Sequence, residues 1–368
     1  MKILLLAAFS DKSTENKYGG AEKVITNLAN WLSENTDNKV VLASVEGHGK
    51  PYSTNNNVIF DSFSLNKNTN KLKIHLQILR NTKLVLNKYK PEIVISFYIY
   101  PMFFAQITSL FKNIKFFYSE RNDPRLEYGL IARIMRWFVM KRSDGIVFQT
   151  NEAMNYFPEY VKKKSVVIHN PVSVDEKKYS LPTKTDNRIV TIGRLFPQKN
   201  HKLLINAFNQ IKDLYPETTL EIHGDGVLRN ELQEHINNLS LNNRVFLKHS
   251  RPDVLDYIYG ASLFVLPSLY EGMPNTLMEA MALGIPVISS DCPCGGPREL
   301  IEDGKNGYLF KNNELDDLVS CMKRVLDIDY PKEMCKEARK ICLTHSSDYI
   351  FKKWIEFIEF TKNSFVKY

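Results

Sequence analysis

Cysteine is scarce in this sequence, with five residues in 368. An odd count without repeated spacing excludes the disulfide framework of a small secreted domain. Cys292 and Cys294 stand as Cys-Pro-Cys, but no second pair follows at zinc-site spacing. Reduced cysteines without metal are therefore expected. No apolar run approaches the roughly 20 residues of a membrane helix. Residues 1–9 are apolar but short, with one lysine in front and no small-residue cleavage site. They read as a buried first strand rather than a signal peptide, and a cytoplasmic location is the expectation. Long repeats and low-complexity tracts are absent. So are zinc-finger, RNP-type and basic-zipper signatures, which argues against nucleic acid as a partner.

Charge is plentiful but unevenly placed. The chain carries 49 Lys+Arg against 41 Asp+Glu, a net +8. Residues 1–180 hold 26 basic and 16 acidic side chains (+10), and the remainder holds 23 and 25 (−2). A basic N-terminal half points to an anionic partner there, such as phosphate or a lipid head group. At roughly 100–200 residues per domain, the length suggests two domains, each large enough for its own core.

The hydrophobic pattern alternates strand and helix. Strand-like runs cover 2–9, 40–45, 93–97, 116–119 and 145–149, with helical periodicity over 21–33 and 72–89. After a polar stretch at 174–187, read as a linker, the alternation restarts. Strands are expected at 188–192, 219–223, 244–247, 263–267 and 286–290, with helices at 202–213, 230–238 and 275–283. Repeated strand–helix–strand units predict an α/β chain of two open parallel sheets facing across a cleft, each binding ligands at the carboxyl ends of its strands. The expected domains are 1–175 and 176–348. A helix within 349–368, apolar along Trp354, Phe357 and Ile358, is expected to cross back onto the first domain.

The segment 263–290 carries the most specific chemistry. A strand gives way to a loop with Glu271 and Gly272, and a helix begins near Asn275 and carries Glu279. Carboxylates accept hydrogen bonds from sugar hydroxyls. The helix start and the loop amides offer donors to phosphate. One loop could thus hold ribose, diphosphate and hexose. The plain alternative is an asparagine-capped helix with an exposed glutamate. A second cluster, Gly193-Arg194-Leu195 to Gln198-Lys199-Asn200, again follows a strand. Arg194 can chelate phosphate through its fork, while Lys199 acts as a point charge. A merely basic solvated loop is the alternative there. Gly19-Gly20-Ala21-Glu22 joins the first strand to the first helix, and Gly20 would allow close approach of a ligand. Gly224-Asp225-Gly226 begins like a dinucleotide fingerprint, but Arg229 stands where the third glycine belongs, which argues against NAD. Asp327-Ile328-Asp329 has the Asp-x-Asp spacing of metal-dependent sugar transferases but lies far from the other motifs, so no metal site is assigned.

Together these segments resemble family 4 glycosyltransferases of the GT-B fold, in which two Rossmann-like domains face each other. The matching stretches are GGAE at 19–22, IHNPV at 168–172, GRLFPQKN at 193–200 and GDGVLRNEL at 224–232. The most specific is YEGMPNTLMEAMALGIPVISSD at 270–291, with GGPREL at 295–300 and DGKNG at 303–307. The resemblance implies a retaining, metal-independent transfer from a nucleotide-diphosphate sugar, with no cofactor beyond that substrate. It implies that Arg194 and Lys199 stabilise the departing diphosphate, that Glu271 holds the transferred sugar and Glu279 the ribose. Arg194, Lys199 and Glu271 are thus the catalytic candidates. Gly20, Gly224 and the backbone of Gly272, Met273, Pro274, Asn275, Thr276 and Leu277 complete the donor site. Many members place a histidine after a strand of the first domain, where this chain has Arg121. Its SERNDP stretch resembles the subgroup that builds capsule, exopolysaccharide and O-antigen repeat units. Glu120, Arg121 and Asp123 become candidates for sugar or acceptor contacts, a salt-bridged loop being the alternative.

These readings add up to a hexosyltransferase that moves a hexose or N-acetylhexosamine, with UDP as the expected carrier, to a lipid-linked glycan in bacterial surface polysaccharide synthesis. A basic amphipathic helix expected at 126–142 supports peripheral attachment to the inner face of the cytoplasmic membrane. A sugar-nucleotide epimerase on the same fold is one competing reading, and the Glu271/Glu279 pair counts against it. A non-catalytic membrane- or carbohydrate-binding protein is the other, and the intact set with Arg194 and Lys199 counts against that.

Overall fold

A computed structural model describes the chain except for residues 10–18, 50–51, 67, 111, 122, 126–128, 173, 176, 183–184 and 365–368. It divides into two compact units, Met1–Pro171 with Ser347–Tyr368, and Val172–Ser346.

Among the described residues, unit 1 contains a seven-stranded parallel sheet in the order β3-β2-β1-β4-β5-β6-β7. The strands are β1 (Lys2–Ala7), β2 (Lys39–Ser44), β3 (Ile59–Ser62), β4 (Ile93–Ser96), β5 (Lys115–Ser119), β6 (Gly145–Phe148) and β7 (Ser165–Val167). β1 and β4 are buried along nearly their whole length, and KILLLA and IVIS are apolar almost without alternation. That is the signature of a parallel strand covered on both faces. One face is covered by α1 (Gly20–Asn35) and the terminal helix Ser347–Ser364, which share a core with Ile3, Leu5, Ile95, Phe117 and Val147. α2 (Lys71–Tyr89), α3 (Ile99–Thr108) and α4 (Leu130–Arg142) form a second helical layer, with α3 packed between the other two.

Unit 2 holds a six-stranded parallel sheet in the order β10-β9-β8-β11-β12-β13. Its strands are β8 (Arg188–Ile192), β9 (Thr219–His223), β10 (Val245–Lys248), β11 (Leu263–Leu266), β12 (Val287–Asp291) and β13 (Tyr308–Lys311). In both sheets the strand order reverses beside the first strand, at β1/β4 and at β8/β11. Such a switch point is where open parallel sheets bind ligands, at the carboxyl ends of the strands.

Three expectations are adjusted. The polar stretch 174–187 is not a free linker: Val174 and Tyr179 pack on the core of unit 2, the Tyr179 hydroxyl donates to Asp256 at 2.6 Å, and Asp186 N–H donates to Gly260 O. Its polar composition hid one buried anchor, Tyr179, and a half-buried one, Val174. The unit boundaries fall at 171/172 and 346/347 instead of 175/176 and 348/349. The basic helix is observed as Leu130–Arg142, and residues 126–128 of the expected span lie outside the described residues.

The terminal helix belongs to unit 1, and Trp354 is its anchor. Its ring is 1% exposed and 5.7 Å from that of Phe97. Trp31 of α1 donates to Asp348 at 2.7 Å and lies against Phe351. Trp354→Ala removes a large side chain from a filled core. It is expected to destabilise unit 1 by about 3–5 kcal/mol, read as a lowered unfolding midpoint in urea. A midpoint within error of wild type would remove Trp354 from that core.

Candidate active site

In unit 2 the loops that leave β8 and β11 meet at the switch point. The β8 loop runs into the short 3₁₀ turn Pro197–Lys199. The β11 loop leads to the helix Asn275–Ala282. Lys199 Nζ lies 2.5 Å from Glu271 Oε1, with both side chains largely buried. The loop backbones are tied as well. Leu269 N–H donates to Gln198 O at 2.8 Å, and the Gln198 amide donates to Tyr270 O at 2.9 Å. On the other side, Glu271 N–H donates to Pro293 O and Cys294 N–H to Glu271 O, at 2.7 and 2.8 Å. Asn312 adds a bond to Leu269 O. Glu271 is therefore held by its backbone from two sides before its carboxylate engages Lys199.

Gly296 seats against this loop so closely that an added Cβ would lie 1.7 Å from Gly272 O. A side chain there would push the β11 loop out of place. Gly224 meets the β8 loop in the same way, with a Cβ falling 1.9 Å from Gly193 O. Two of the glycines singled out in the sequence thus lie at backbone-to-backbone contacts within the site.

The helix Asn275–Ala282 begins at Pro274 without a side-chain cap, and its first internal bond runs from Met278 N–H to Pro274 O. The amides ahead of Met278 stand at the positive end of the helix. Glu279, 9% exposed, lies one turn inside. Met273 and Leu277 are buried in the unit 2 core, so any ligand contact they make is through the backbone. Arg194 is exposed, its guanidinium 5.4 Å from the Phe196 ring rather than on the Lys199–Glu271 pair.

One organising residue was missed in the sequence. Asp225, given no role of its own within the stretch 224–232, ties the loop after β9 to the loop after β10. It accepts from Arg229 at 2.9 Å, Ser250 N–H at 2.9 Å and His249 at 2.6 Å. Burial raises its pKa, but those bonds outweigh the effect and hold the carboxyl down at about 2. The signal was available: Arg229 stands four residues after Asp225, the spacing of a helical pair. Asp327 accepts from the Tyr215 hydroxyl at 2.6 Å, a local structural contact.

In unit 1, Gly20 opens α1, and residues 10–18, which lead up to Gly19, lie outside the described residues. Glu120 and Asp123 are buried just beyond β5. Asp123 is engaged by Arg125 through Nε at 2.9 Å and Nη2 at 3.1 Å, so for this residue the salt-bridged loop is what is found. Asn122, within the same stretch, lies outside the described residues. The Arg121 guanidinium stacks 3.7 Å from the Phe97 ring centroid, with Trp354 at 6.0 Å, and donates to Asn170 at 2.6 Å. Its Nε and Nη2 are buried and meet no acceptor among the described residues. Burial lowers its pKa to about 9.

Comparison with known proteins bears on the family and the fold. Residues 18–176 match the family described as Glycosyltransferase Family 4, and residues 173–341 match Glycosyl transferases group 1. An uncharacterized glycosyltransferase of Methanocaldococcus jannaschii is 34% identical over 264 residues, covering 64% of each chain. The UDP-Gal:alpha-D-GlcNAc-diphosphoundecaprenol alpha-1,3-galactosyltransferase of Escherichia coli is 33% identical over 169 residues, 45% of this chain and 43% of that one. The matches thus span less than two thirds of these two relatives. Among solved structures, HepE of Anabaena in complex with UDP superposes with a TM-score of 0.78 at 19% identity, covering 98% of this chain and 100% of that one.

A buried imidazole beside the site gives a pH test. His201 follows Lys199 by two residues, and burial, with the Lys199 charge added, pushes its pKa down from 6.5 to about 4. The unfolded chain then binds the proton that the folded chain refuses. Stability should fall as pH drops from about 6.5 to about 4, by roughly 3 kcal/mol from this residue. His201→Leu is expected to flatten that part of the slope in denaturant midpoints measured across the window. An unchanged slope would mean that the imidazole protonates freely in the folded state.

Proposed function

Because this chain belongs to the glycosyltransferases built from these two domains, we propose that it moves a hexose or N-acetylhexosamine from a UDP-sugar to a lipid-linked glycan. The setting is bacterial surface polysaccharide synthesis, at the inner face of the membrane. The observation that carries the reading is the Lys199–Glu271 contact beside the start of the helix Asn275–Ala282. It sets a cation and a carboxylate beside helix-end amides, the groups that a diphosphate and a sugar would need. The Escherichia coli relative supports the choice of carrier and acceptor class, since its name specifies UDP-Gal and a diphosphoundecaprenol-linked sugar.

On this reading the bond between the anomeric carbon and the β-phosphate oxygen breaks, and the acceptor hydroxyl bonds to that carbon from the same face. Configuration is retained, and the hydroxyl proton passes to the departing phosphate. The charge that develops is on the diphosphate. Arg194, Lys199 and the helix start stabilise it, so neither a protein nucleophile nor a metal is required. Glu271 orients the sugar hydroxyls and Glu279 the ribose. The backbone near Gly20 and Gly224 completes the donor contacts, and Glu120 and Arg121 are left for the acceptor.

Arg194 is exposed, so Arg194→Ala should fold normally and still lose roughly 10²–10³ in turnover. Near wild-type turnover would sink its role. Thermal stabilisation across a panel of nucleotides and UDP-sugars, without added metal, should show a clear shift that Glu279→Ala abolishes. No shift with any nucleotide at saturation would count against the whole reading.

A further inference from the structure

Arg121 is a cation without an acid. Its guanidinium stacks on Phe97 just past the carboxyl ends of β4 and β5 in unit 1. Nη1 is taken by Asn170 at 2.6 Å, and the Gln149 amide stands 3.2 Å from it. Nε and Nη2 are buried and meet no acceptor among the described residues. These two nitrogens send parallel N–H bonds from one edge of the plane, the edge that grips two oxygens of a carboxylate or phosphate. Elsewhere in the chain that edge is filled. Arg125 applies Nε and Nη2 to Asp123 at 2.9 and 3.1 Å, and Arg251 applies them to Asp253 at 2.7 and 2.6 Å.

The acids nearest in sequence are engaged by other groups. Asp123 belongs to Arg125, and Glu120 accepts from the Tyr118 hydroxyl at 3.4 Å. Among the described residues Arg121 forms no ion pair. The groups that act on its charge are the phenols of Tyr98 and Tyr118. Tyr98 stays neutral, since burial and then the carboxylates of Glu22 and Glu46 push its pKa well up. The loop that carries Arg121 is also fastened. Glu120 N–H donates to Val147 O at 3.0 Å, Arg136 donates to Pro124 O at 3.0 Å, and Arg125 reaches Glu152 at 2.8 Å. A ligand at the open edge therefore meets a fork that is already oriented.

We propose that the Nε–Nη2 edge of Arg121 is an oxyanion site of unit 1, taking two oxygens of one acidic group, a phosphate or a carboxylate. Charge decides against a hydroxyl or a water molecule. Either would complete the hydrogen bonds but leave a buried cation without a counter-charge, which is the costlier deficit. The identity of the ligand rests on the transfer reading: there the acidic group is carried by the acceptor. It is the phosphate that joins the glycan to its lipid, or the carboxylate of an acidic sugar within the glycan. Arg121 thereby selects a charged acceptor over a neutral one.

The test is thermal stabilisation of the full chain, first with UDP alone and then with saturating UDP plus a second probe. The probes are inorganic pyrophosphate, the methyl glycoside of glucuronic acid, and neutral methyl glucoside. An acidic probe should add a shift that the neutral one does not. A shift with pyrophosphate alone assigns the site to the lipid-linking phosphate, and a shift with the glucuronide alone to an acidic sugar. Arg121→Lys keeps the charge but loses the fork, and should weaken probe binding about tenfold or more. Arg121→Met should abolish it, while the ligand-free transition stays in place or rises, because an unpaired buried charge has gone. An arginine that served only packing would do the opposite, with a lowered transition and probe binding intact. If Arg121→Met does not fold, Arg121→Lys alone decides. The shift with UDP should persist in both variants, so failure of the donor site and failure of the oxyanion site are told apart. The proposal is overturned when neither acidic probe adds a shift, or when the added shift is unchanged in Arg121→Lys.

Discussion

A lysine and a glutamate 72 positions apart meet at 2.5 Å, and the edge of unit 2 is arranged round that contact. Taking both charges out of water is costly, and their attraction repays it only when the geometry is good and the surrounding polar groups are served. The loops are accordingly fastened by their backbones, to Gln198 on one side and to Pro293 and Cys294 on the other. The carboxylate does not have to hold the loop in place. The pair can therefore open without moving the loop, as the proposed reading requires when sugar and diphosphate bind. A contact that served only stability would be better replaced by packed apolar side chains of similar volume. Its position beside an uncapped helix start suits the proposed binding of a charged donor.

Topology explains why these residues meet. β8 and β11 are neighbours in the sheet, although two strands and their helices separate them in sequence. Their loops therefore leave the same carboxyl edge side by side and can be bonded to one another, at the switch point where open parallel sheets bind ligands. Gly224 and Gly296 then let adjacent loops approach at backbone distance, where any side chain would collide. The same reversal occurs at β1/β4 in unit 1. There the loop after β4 supplies Phe97, and the neighbouring loop after β5 supplies Arg121, which stacks on it.

Much of this was legible in the sequence because parallel strands buried on both faces read as unbroken apolar runs. β1, β4 and β11 are of that kind, and their expected spans agree with the observed ones to within about two residues. α3 was not legible. Ile99–Thr108 is apolar nearly all round, since it is wedged between two other helices, and so it lacks the 3.6-residue period that marks a surface helix. β3 was missed for the opposite reason: it is an edge strand with every residue only half buried. Glu271 and Lys199 were visible as residue types after strands. Their pairing was not, because a contact between distant loops leaves no periodic trace. Asp225 shows the same limit, since two of its three partners lie on another strand's loop.

Arg121 is where the first unit departs most from what its motif implied. A histidine at such a position can exchange a proton near neutral pH. A guanidinium whose pKa is lowered to about 9 is still protonated there and can serve only as a charge and a donor. Its place is set by packing, with Phe97 against its face, Trp354 of the terminal helix nearby and Asn170 on one nitrogen. Nε and Nη2 remain buried without acceptors among the described residues, and a polar group in that state is costly unless something completes it. An acceptor hydroxyl or phosphate oxygen would do so. The terminal helix thus does more than close a core. By supplying Trp354 it helps to hold a cation in fixed orientation at the sheet edge from which α4 also starts. On the proposed reading, a lipid-linked substrate reaches unit 1 at that same edge.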